Sequence, residues 1–176
     1  MKKIAFAILL TAFSVPPAIA TGLYAGAKFG SVSYGYSNVT NSSQAGFGLL
    51  GGYLFNPNFA LEIEYDDLGG FDSTTGNING SSVGVSGVGY FPFNQQFSIF
   101  GKLGIASTYL KNTPKPGSPP GDYTNGNTGI TLGFGGQYDA SRQVGLRLGI
   151  DIYPVGDAVS STSTADMFYL GGVFRF

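Results

Sequence analysis

The sequence predicts an all-β fold, an eight-stranded antiparallel up-and-down transmembrane β-barrel, and three observations predict it. Apolar and polar residues alternate with period two in segment after segment beyond residue 20, which marks strands with two unlike faces. The connections between these segments alternate strictly between long and short. Charged residues make up only 11% of the chain, against roughly 25% in an ordinary soluble domain. No stretch beyond residue 20 is a continuous apolar run long enough for a membrane helix.

The first twenty residues stand outside the fold. Lys2 and Lys3 open a basic segment, Ile4 to Phe13 form a short apolar run, and Ala18-Ile19-Ala20 gives a small-x-small cleavage pattern. The chain is therefore expected to be exported and cut after Ala20, with 1–20 a signal peptide and 21–176 one barrel domain. The apolar run is too short to anchor the chain across a bilayer. With Lys2 and Lys3 removed, seven basic residues remain against ten acidic ones, a net charge of −3. The basic residues are scattered, without a basic patch, which excludes nucleic acid as a partner. There is no cysteine, so the exported domain holds together without disulfides.

Eight strands follow, each bounded by turn chemistry. In the first (22–34), second (44–55) and fourth (81–92), Gly and Ala occur on both faces, but the odd positions carry the apolar set: Phe29; Phe47, Leu49, Tyr53 and Phe55; Val83, Val85 and Phe91. The third (59–68) sets Phe59, Leu61, Ile63 and Tyr65 against Ala60, Glu62, Glu64 and Asp66. The fifth (97–109) sets Phe97, Ile99, Leu103 and Ile105 against Ser98, Phe100, Lys102 and Gly104. The sixth (128–138) opposes Ile130, Leu132, Phe134 and Tyr138 to Gly129, Thr131, Gly133, Gly135 and Gln137. The seventh (143–153) alternates Val144, Leu146, Leu148, Ile150 and Ile152 with Gln143, Gly145, Arg147, Gly149, Asp151 and Tyr153. The eighth (166–176) opposes Phe168, Leu170, Phe174 and Phe176 to Met167, Tyr169, Gly171, Val173 and Arg175.

Periodicity does not say which face is outside. The connections do. Three are tight (56–58, 93–96 and 139–142), and four are long and rich in Ser, Thr, Asn, Gly and Pro (35–43, 69–80, 111–127 and 154–165). In an up-and-down sheet all four long loops fall at one end, as in barrels with short periplasmic turns and long extracellular loops. The polar faces consist mostly of Gly, Ala, Ser and Thr, residues that fit the narrow interior of an eight-stranded barrel. Aromatics gather at the strand ends, with Phe55, Phe59, Phe91, Phe93, Phe97, Tyr138 and Phe176 toward the tight turns and Tyr65, Tyr109 and Phe168 toward the loops. Rings at both ends suit the two lipid interfaces.

The charges on the inward faces are Glu62, Glu64, Asp66 and Asp151 against Lys28, Lys102, Arg147 and Arg175, four balancing four. Buried charges persist only when paired, so a lumen network is expected, with Glu62 and Glu64 meeting Lys102 and Arg147 near mid-barrel. The chain has no histidine and no cysteine, so neither a Ser-His-Asp triad nor a Cys-His pair can be assembled. Glu62 and Glu64 share a face and could form an acid/base pair; the salt-bridge reading is preferred. No metal and no cofactor is expected. The third long loop carries Lys111, Lys115, Asp122 and Tyr123 among four prolines, which makes it a candidate contact site for a surface ligand.

The last strand makes the likeness specific. YLGGVFRF (169–176) resembles the C-terminal signal of bacterial outer-membrane proteins, carried here by Tyr169, Gly171, Phe174 and Phe176. With FALEIEYDDLGGF (59–71) and FSIFGKLGIAS (97–107), residues 21–176 resemble the OmpA-like and opacity-protein group of small surface barrels. That resemblance implies a bacterial outer-membrane location and contact with outer-membrane lipid and lipopolysaccharide. It also implies recognition by the barrel-assembly machinery, but it fixes no activity, because the group is functionally diverse; the missing His and Cys are what favour a non-enzymatic role, in envelope integrity and surface contact through the four loops. The peptidoglycan-binding domain of full-length OmpA has no counterpart in 21–176. A closed barrel has no sheet edges, so a monomer is expected. Two further readings stay open: a narrow, low-conductance pore through the charged lumen, and a soluble lipocalin-like carrier whose interior would be the aliphatic face.

Overall fold

The computed structural model describes residues 22–34, 43–72, 76–114, 123–155 and 164–176. The signal segment, Lys115 and Asp122 lie outside them. Eight strands run in chain order: β1 Leu23–Tyr34, β2 Gln44–Asn56, β3 Phe59–Asp72, β4 Gly76–Pro92, β5 Phe97–Pro114, β6 Tyr123–Asp139, β7 Val144–Pro154 and β8 Thr164–Arg175. Each pairs antiparallel with its neighbours, and β8 pairs with β1 to close the barrel.

The register fixes the dimensions. Starting at Leu23, successive partners are Tyr53, Leu61, Gly87, Leu103, Leu132, Ile152, Asp166 and finally Ser33, ten residues further along β1. A stagger of ten over eight strands tilts them by about 40° and gives a backbone radius of about 8 Å. That leaves an interior that side chains can fill completely.

The faces are inverted relative to a soluble barrel. Phe29, Leu103, Ile130 and Leu170 are more than 60% exposed, whereas Lys28, Glu62, Asp66, Arg147 and Asp151 are at most 2% exposed. The aliphatic face is outside, which overturns the lipocalin-like alternative. Placed along the barrel axis by the register, the outward aromatics Phe55, Phe59, Phe91, Phe97, Tyr138 and Phe176 form one ring at the tight-turn end. A second ring, of Phe29, Phe47, Tyr65 and Phe168, lies about 15–18 Å above it. Outward polar residues, Ser31, Asp67, Ser81, Ser107 and Asp166, begin just beyond, so the apolar band is close to the ~25 Å expected of such barrels.

Local chemistry closes the tight turns. Asn94 Oδ1 accepts the backbone N–H groups of Gln96 and Phe97 at 2.8 Å each, and Ser141 Oγ accepts those of Gln143 and Val144. Asn56 Oδ1 does the same for Asn58. Asn and Ser serve here because a short polar side chain can stand in for a missing ladder partner.

Two of the long connections, 69–80 and 111–127, are shorter than the sequence suggested, because β3 to β6 continue past the membrane band. Pairs Gly70↔Asn79, Asp72↔Asn77, Lys111↔Thr124 and Asn112↔Tyr123 extend the ladders. Beyond the band no lipid covers the outer face, so the Ser, Thr, Asn and Gly of these segments show no alternation although the backbone is paired. The lost signal has a physical cause: without lipid on one side, nothing selects apolar residues. Lys111 and Tyr123 are accordingly strand residues and do not belong to a loop. Between Asp67 and Gly70 the register slips by one, and Gly69 takes φ 71°, the left-handed region that favours glycine.

Candidate functional site: a buried charge network in the lumen

The interior is layered. At the loop end Val32, Leu68, Ala106, Ala165 and Met167, each at most 1% exposed, form an apolar layer. At the tight-turn end lies an open vestibule of about 310 Å³, bordered by Tyr24, Tyr90, Gln137, Asp139, Arg147 and Arg175. Between them sits the charge network.

Its upper half is built on two lysines. Lys28 Nζ (β1) donates to Glu64 Oε2 and Asp151 Oδ2 at 2.6 Å each and lies 3.1 Å from Asp66 Oδ1. Lys102 Nζ (β5) donates to Glu64 Oε1 at 2.7 Å and to Asp151 Oδ2 at 3.0 Å. The Tyr153 hydroxyl donates to Asp66 Oδ2 at 2.8 Å. The ring of Tyr169 lies 5.0 Å from Lys28 Nζ and 5.5 Å from Lys102 Nζ, so both ammonium groups face its π system.

The lower half is one arginine in an aromatic cage. Arg147 (β7) donates from Nη1 to Glu62 Oε1 at 2.6 Å, from Nε to Gln137 Oε1 at 2.8 Å, and from Nη2 to the Tyr90 hydroxyl. The rings of Tyr24, Tyr90 and Phe100 lie 5.3–5.7 Å from its guanidinium carbon. Tyr24 also donates its hydroxyl to Glu62 Oε1 at 2.6 Å. The halves meet weakly, through Lys102 and Glu62 Oε2 at 3.9 Å.

Seven of the eight inward charges inferred from the sequence thus occupy one cluster, with Arg147 facing Glu62 and Lys102 facing Glu64. Arg175 does not join them. It lies lower, at the vestibule rim, where Nη2 donates to Asp139 Oδ1 at 2.9 Å. Gln137 Nε2 donates to the same oxygen, so Arg175 reaches the Arg147 cage only through Asp139 and Gln137. The four-to-four balance is therefore corrected: mid-lumen holds four acids and three bases. Two tyrosine hydroxyls, Tyr24 and Tyr153, supply part of what the missing cation would have given. Glu62 Oε2, Asp66 Oδ1 and Asp151 Oδ1 still lack hydrogen-bond donors.

Sequence reasoning missed Tyr24, Tyr90, Gln137 and Tyr153 as partners. The signal was available in their parity: Tyr24 shares a face with Lys28, Gln137 with Gly133, and Tyr153 with Arg147 and Asp151. Among the described residues no group of acids is arranged to hold a metal ion.

Glycines make room for these large side chains. A Cβ at Gly133 would lie 2.3 Å from Asp151 Oδ1, and one at Gly48 would lie 2.1 Å from Asp66 Oδ1. On the lipid face, a Cβ at Gly101 would meet nothing within 4 Å. Gly133→Ala is expected to cost about 1–3 kcal/mol through overpacking. Gly101→Ala should be neutral or stabilise by up to about 1 kcal/mol, through reduced freedom of the unfolded chain. Urea titration in lipid vesicles checks both; equal effects at the two sites would refute the packing explanation.

Of the C-terminal residues, Tyr169 points inward against the lysines, and Gly171 faces Lys28, its Cβ position 2.9 Å from Ala27 O. Phe174 and Phe176 point outward, edge to face at 5.4 Å, in the lower aromatic ring. Lys111 is exposed on β5 beyond the apolar band.

The sequence profile of the outer membrane protein beta-barrel domain matches residues 5–176. No curated protein matches the chain in sequence. Among solved structures the chain is similar to Neisserial surface protein A, with a TM-score of 0.74 at 15% identity over 88% of this chain and 97% of that one. It is also similar to Ail, the attachment invasion locus protein of Yersinia pestis, with a TM-score of 0.65 at 16% identity over 88% and 99%. The outer membrane enzyme PagL shares the fold as well, with a TM-score of 0.55 at 12% identity over 87% and 99%. At such identities these likenesses speak for the fold alone. Eight closed antiparallel strands, a lipid-facing aliphatic wall and a matching profile over nearly the whole length lead to one conclusion: the chain belongs to the outer membrane protein beta-barrel domain family.

Proposed function

We propose that the protein is a closed, non-enzymatic barrel of the bacterial outer membrane that acts through its loop end, in envelope integrity and adhesion-like surface contact. The observation that carries this reading is the filled lumen. A charge network and an apolar layer above it occupy the interior from the vestibule to the loops. Such a lumen offers no continuous solute path, and its one open space among the described residues, the vestibule, ends blind at Arg147. The absence of His and Cys supports the non-enzymatic reading, since the common nucleophile-activating pairs cannot form. Loops on a rigid scaffold are where binding usually resides. On this reading Lys111, Lys115, Asp122 and Tyr123 contribute surface contacts, export ends in cleavage after Ala20, and Tyr169, Gly171, Phe174 and Phe176 are read by the barrel-assembly machinery. The barrel works as a monomer among lipopolysaccharide.

Replacing residues 115–122 with a two-residue Asn-Gly turn tests the reading. The variant should retain the gel mobility shift between unboiled and boiled samples that reports a folded barrel, while cells displaying it lose adherence to epithelial monolayers. Full adherence would place the contact elsewhere. Ohmic conductance of the unmodified protein in planar bilayers would favour the pore instead.

A further inference from the structure

The vestibule at the tight-turn end has no part in the loop role, and its lining is built for an anion. Short turns face the periplasm in barrels of this kind, so the cavity opens toward that compartment. Its blind end is Arg147, a residue 2% exposed. A guanidinium carries five N–H groups. Arg147 spends one on Gln137 from Nε, one on Glu62 from Nη1 and one on Tyr90 from Nη2. One N–H on each Nη therefore has no acceptor among the described residues, and the vestibule is the open space that Arg147 borders. Glu62 does not reach the cavity, so the Arg147–Glu62 pair presents its positive end there.

The rest of the lining selects the occupant. The charged groups bordering the cavity are Arg147, Arg175 and Asp139, two bases against one acid, a net charge of +1. Asp139 Oδ1 is already taken by Arg175 Nη2 and Gln137 Nε2. Asn94 spends its Oδ1 on the backbone N–H groups of Gln96 and Phe97, which leaves its Nδ2 as a further donor. Leu54, Pro57, Pro92, Phe97 and Val173 make the remaining wall carbon. The 310 Å³ equal the volume of about ten waters, room for a short carbon stem. We propose that the vestibule binds a small organic monocarboxylate from the periplasmic side, its carboxylate meeting the free N–H groups of Arg147, with Arg175 drawing it in from the rim. A monoanion balances the +1 lining, a cation meets two arginines, and apolar walls strengthen the attraction by excluding water. The C-terminus of a peptide and a free short-chain acid both supply this chemistry. The inference rests on the tight turns facing the periplasm and is independent of what the loops bind.

Two-dimensional NMR titration of the isotope-labelled, refolded full chain in detergent micelles tests it, with acetyl-alanyl-alanine, its C-terminal amide and butyrate as probes. The dipeptide acid should bind at one site with a Kd on the order of 1 mM, as suits so small a ligand. Its shifts should centre on the amides of Asn94, Gln96, Gln137 and Arg147. The amide, which lacks the charge, should bind at least about tenfold more weakly. Butyrate binding as well as the dipeptide assigns the site to free short-chain acids; weaker butyrate binding assigns it to peptide termini. Arg175→Gln should weaken binding by about three- to tenfold, and Asp139→Asn, which removes the one acid of the lining, should tighten it by about threefold. A purely structural role for these residues gives no such opposite signs. Arg147→Met/Glu62→Gln removes the cation of the blind end without stranding its partner and should weaken binding by at least about tenfold. The gel mobility shift verifies that each variant is folded, and the two rim variants carry the test if the double variant does not fold. Equal titration by acid and amide, no titration by either acid, undiminished binding in Arg175→Gln, or weaker binding in Asp139→Asn would overturn the proposal.

Discussion

Replacing Lys28 with methionine is expected to lower the unfolding free energy by about 3–5 kcal/mol, the usual effect of removing one partner from a buried ionic cluster. Methionine is only one heavy atom shorter than lysine, so little of the loss comes from a cavity. The loss is electrostatic. Lys28 Nζ lies within 3.1 Å of Glu64, Asp66 and Asp151, and among the described residues Lys102 is the one other lysine near them. Mid-lumen already holds one acid more than its bases, so the variant would leave four carboxylates with two cations in a space closed to water. Lys28→Arg should not rescue it. The lysine stem fits against Gly48, whose Cβ position is 2.6 Å from Lys28 Cε, and a planar guanidinium has no room to turn there. Urea unfolding in lipid vesicles, followed by circular dichroism, gives the measurement. A change under 1 kcal/mol for Lys28→Met would mean that the acids do not depend on this cation.

Most of the barrel was legible because lipid imposes a strict rule on one face of every strand. Where large apolar residues meet hydrocarbon, alternation is clean, as from Phe59 to Tyr65 and from Val144 to Ile152, and Gly and Ala on both faces blur it in β1, β2 and β4. Wherever the strands rise into water, as at 76–80 and 123–127, the rule lapses and strand cannot be told from loop. The inward charges were legible for a related reason: a charge on a strand whose other face is lipid has only the lumen to enter. Their depth was not legible. Arg175 has the same parity as Tyr169, yet the stagger of ten residues sets it at the vestibule rim beside Asp139, a residue that reads in sequence as part of a turn. Nor could composition show that tyrosines complete the network, because a Tyr on a small-residue face looks equally like packing until its partner strand is known.

The pair Arg147–Glu62 allows the strongest test of how the lumen is sealed. Arg147→Met and Glu62→Gln should each cost about 3–5 kcal/mol, since each strands a buried ion. The double variant should cost less than the sum by about 2–3 kcal/mol, because neither uncompensated ion then remains. Residual cost is expected from the aromatic cage, as Tyr24, Tyr90 and Phe100 lose the cation between their rings and Gln137 loses its donor. Arg147→Ala then separates stability from permeability. Arg147 borders the vestibule, so truncating it deepens that cavity toward Glu62. Above it the Lys28–Lys102 layer remains, and above that the apolar layer of Val32, Leu68 and Met167. Planar bilayers containing Arg147→Ala should therefore stay non-conducting even though the barrel is weakened. If they conduct, the arginine itself is the gate and the apolar layer is no barrier. The same recordings on Met167→Gly, which opens that layer and leaves every charge in place, should likewise stay silent if the lysine layer closes the lumen independently. Current in either variant identifies the layer on which closure depends.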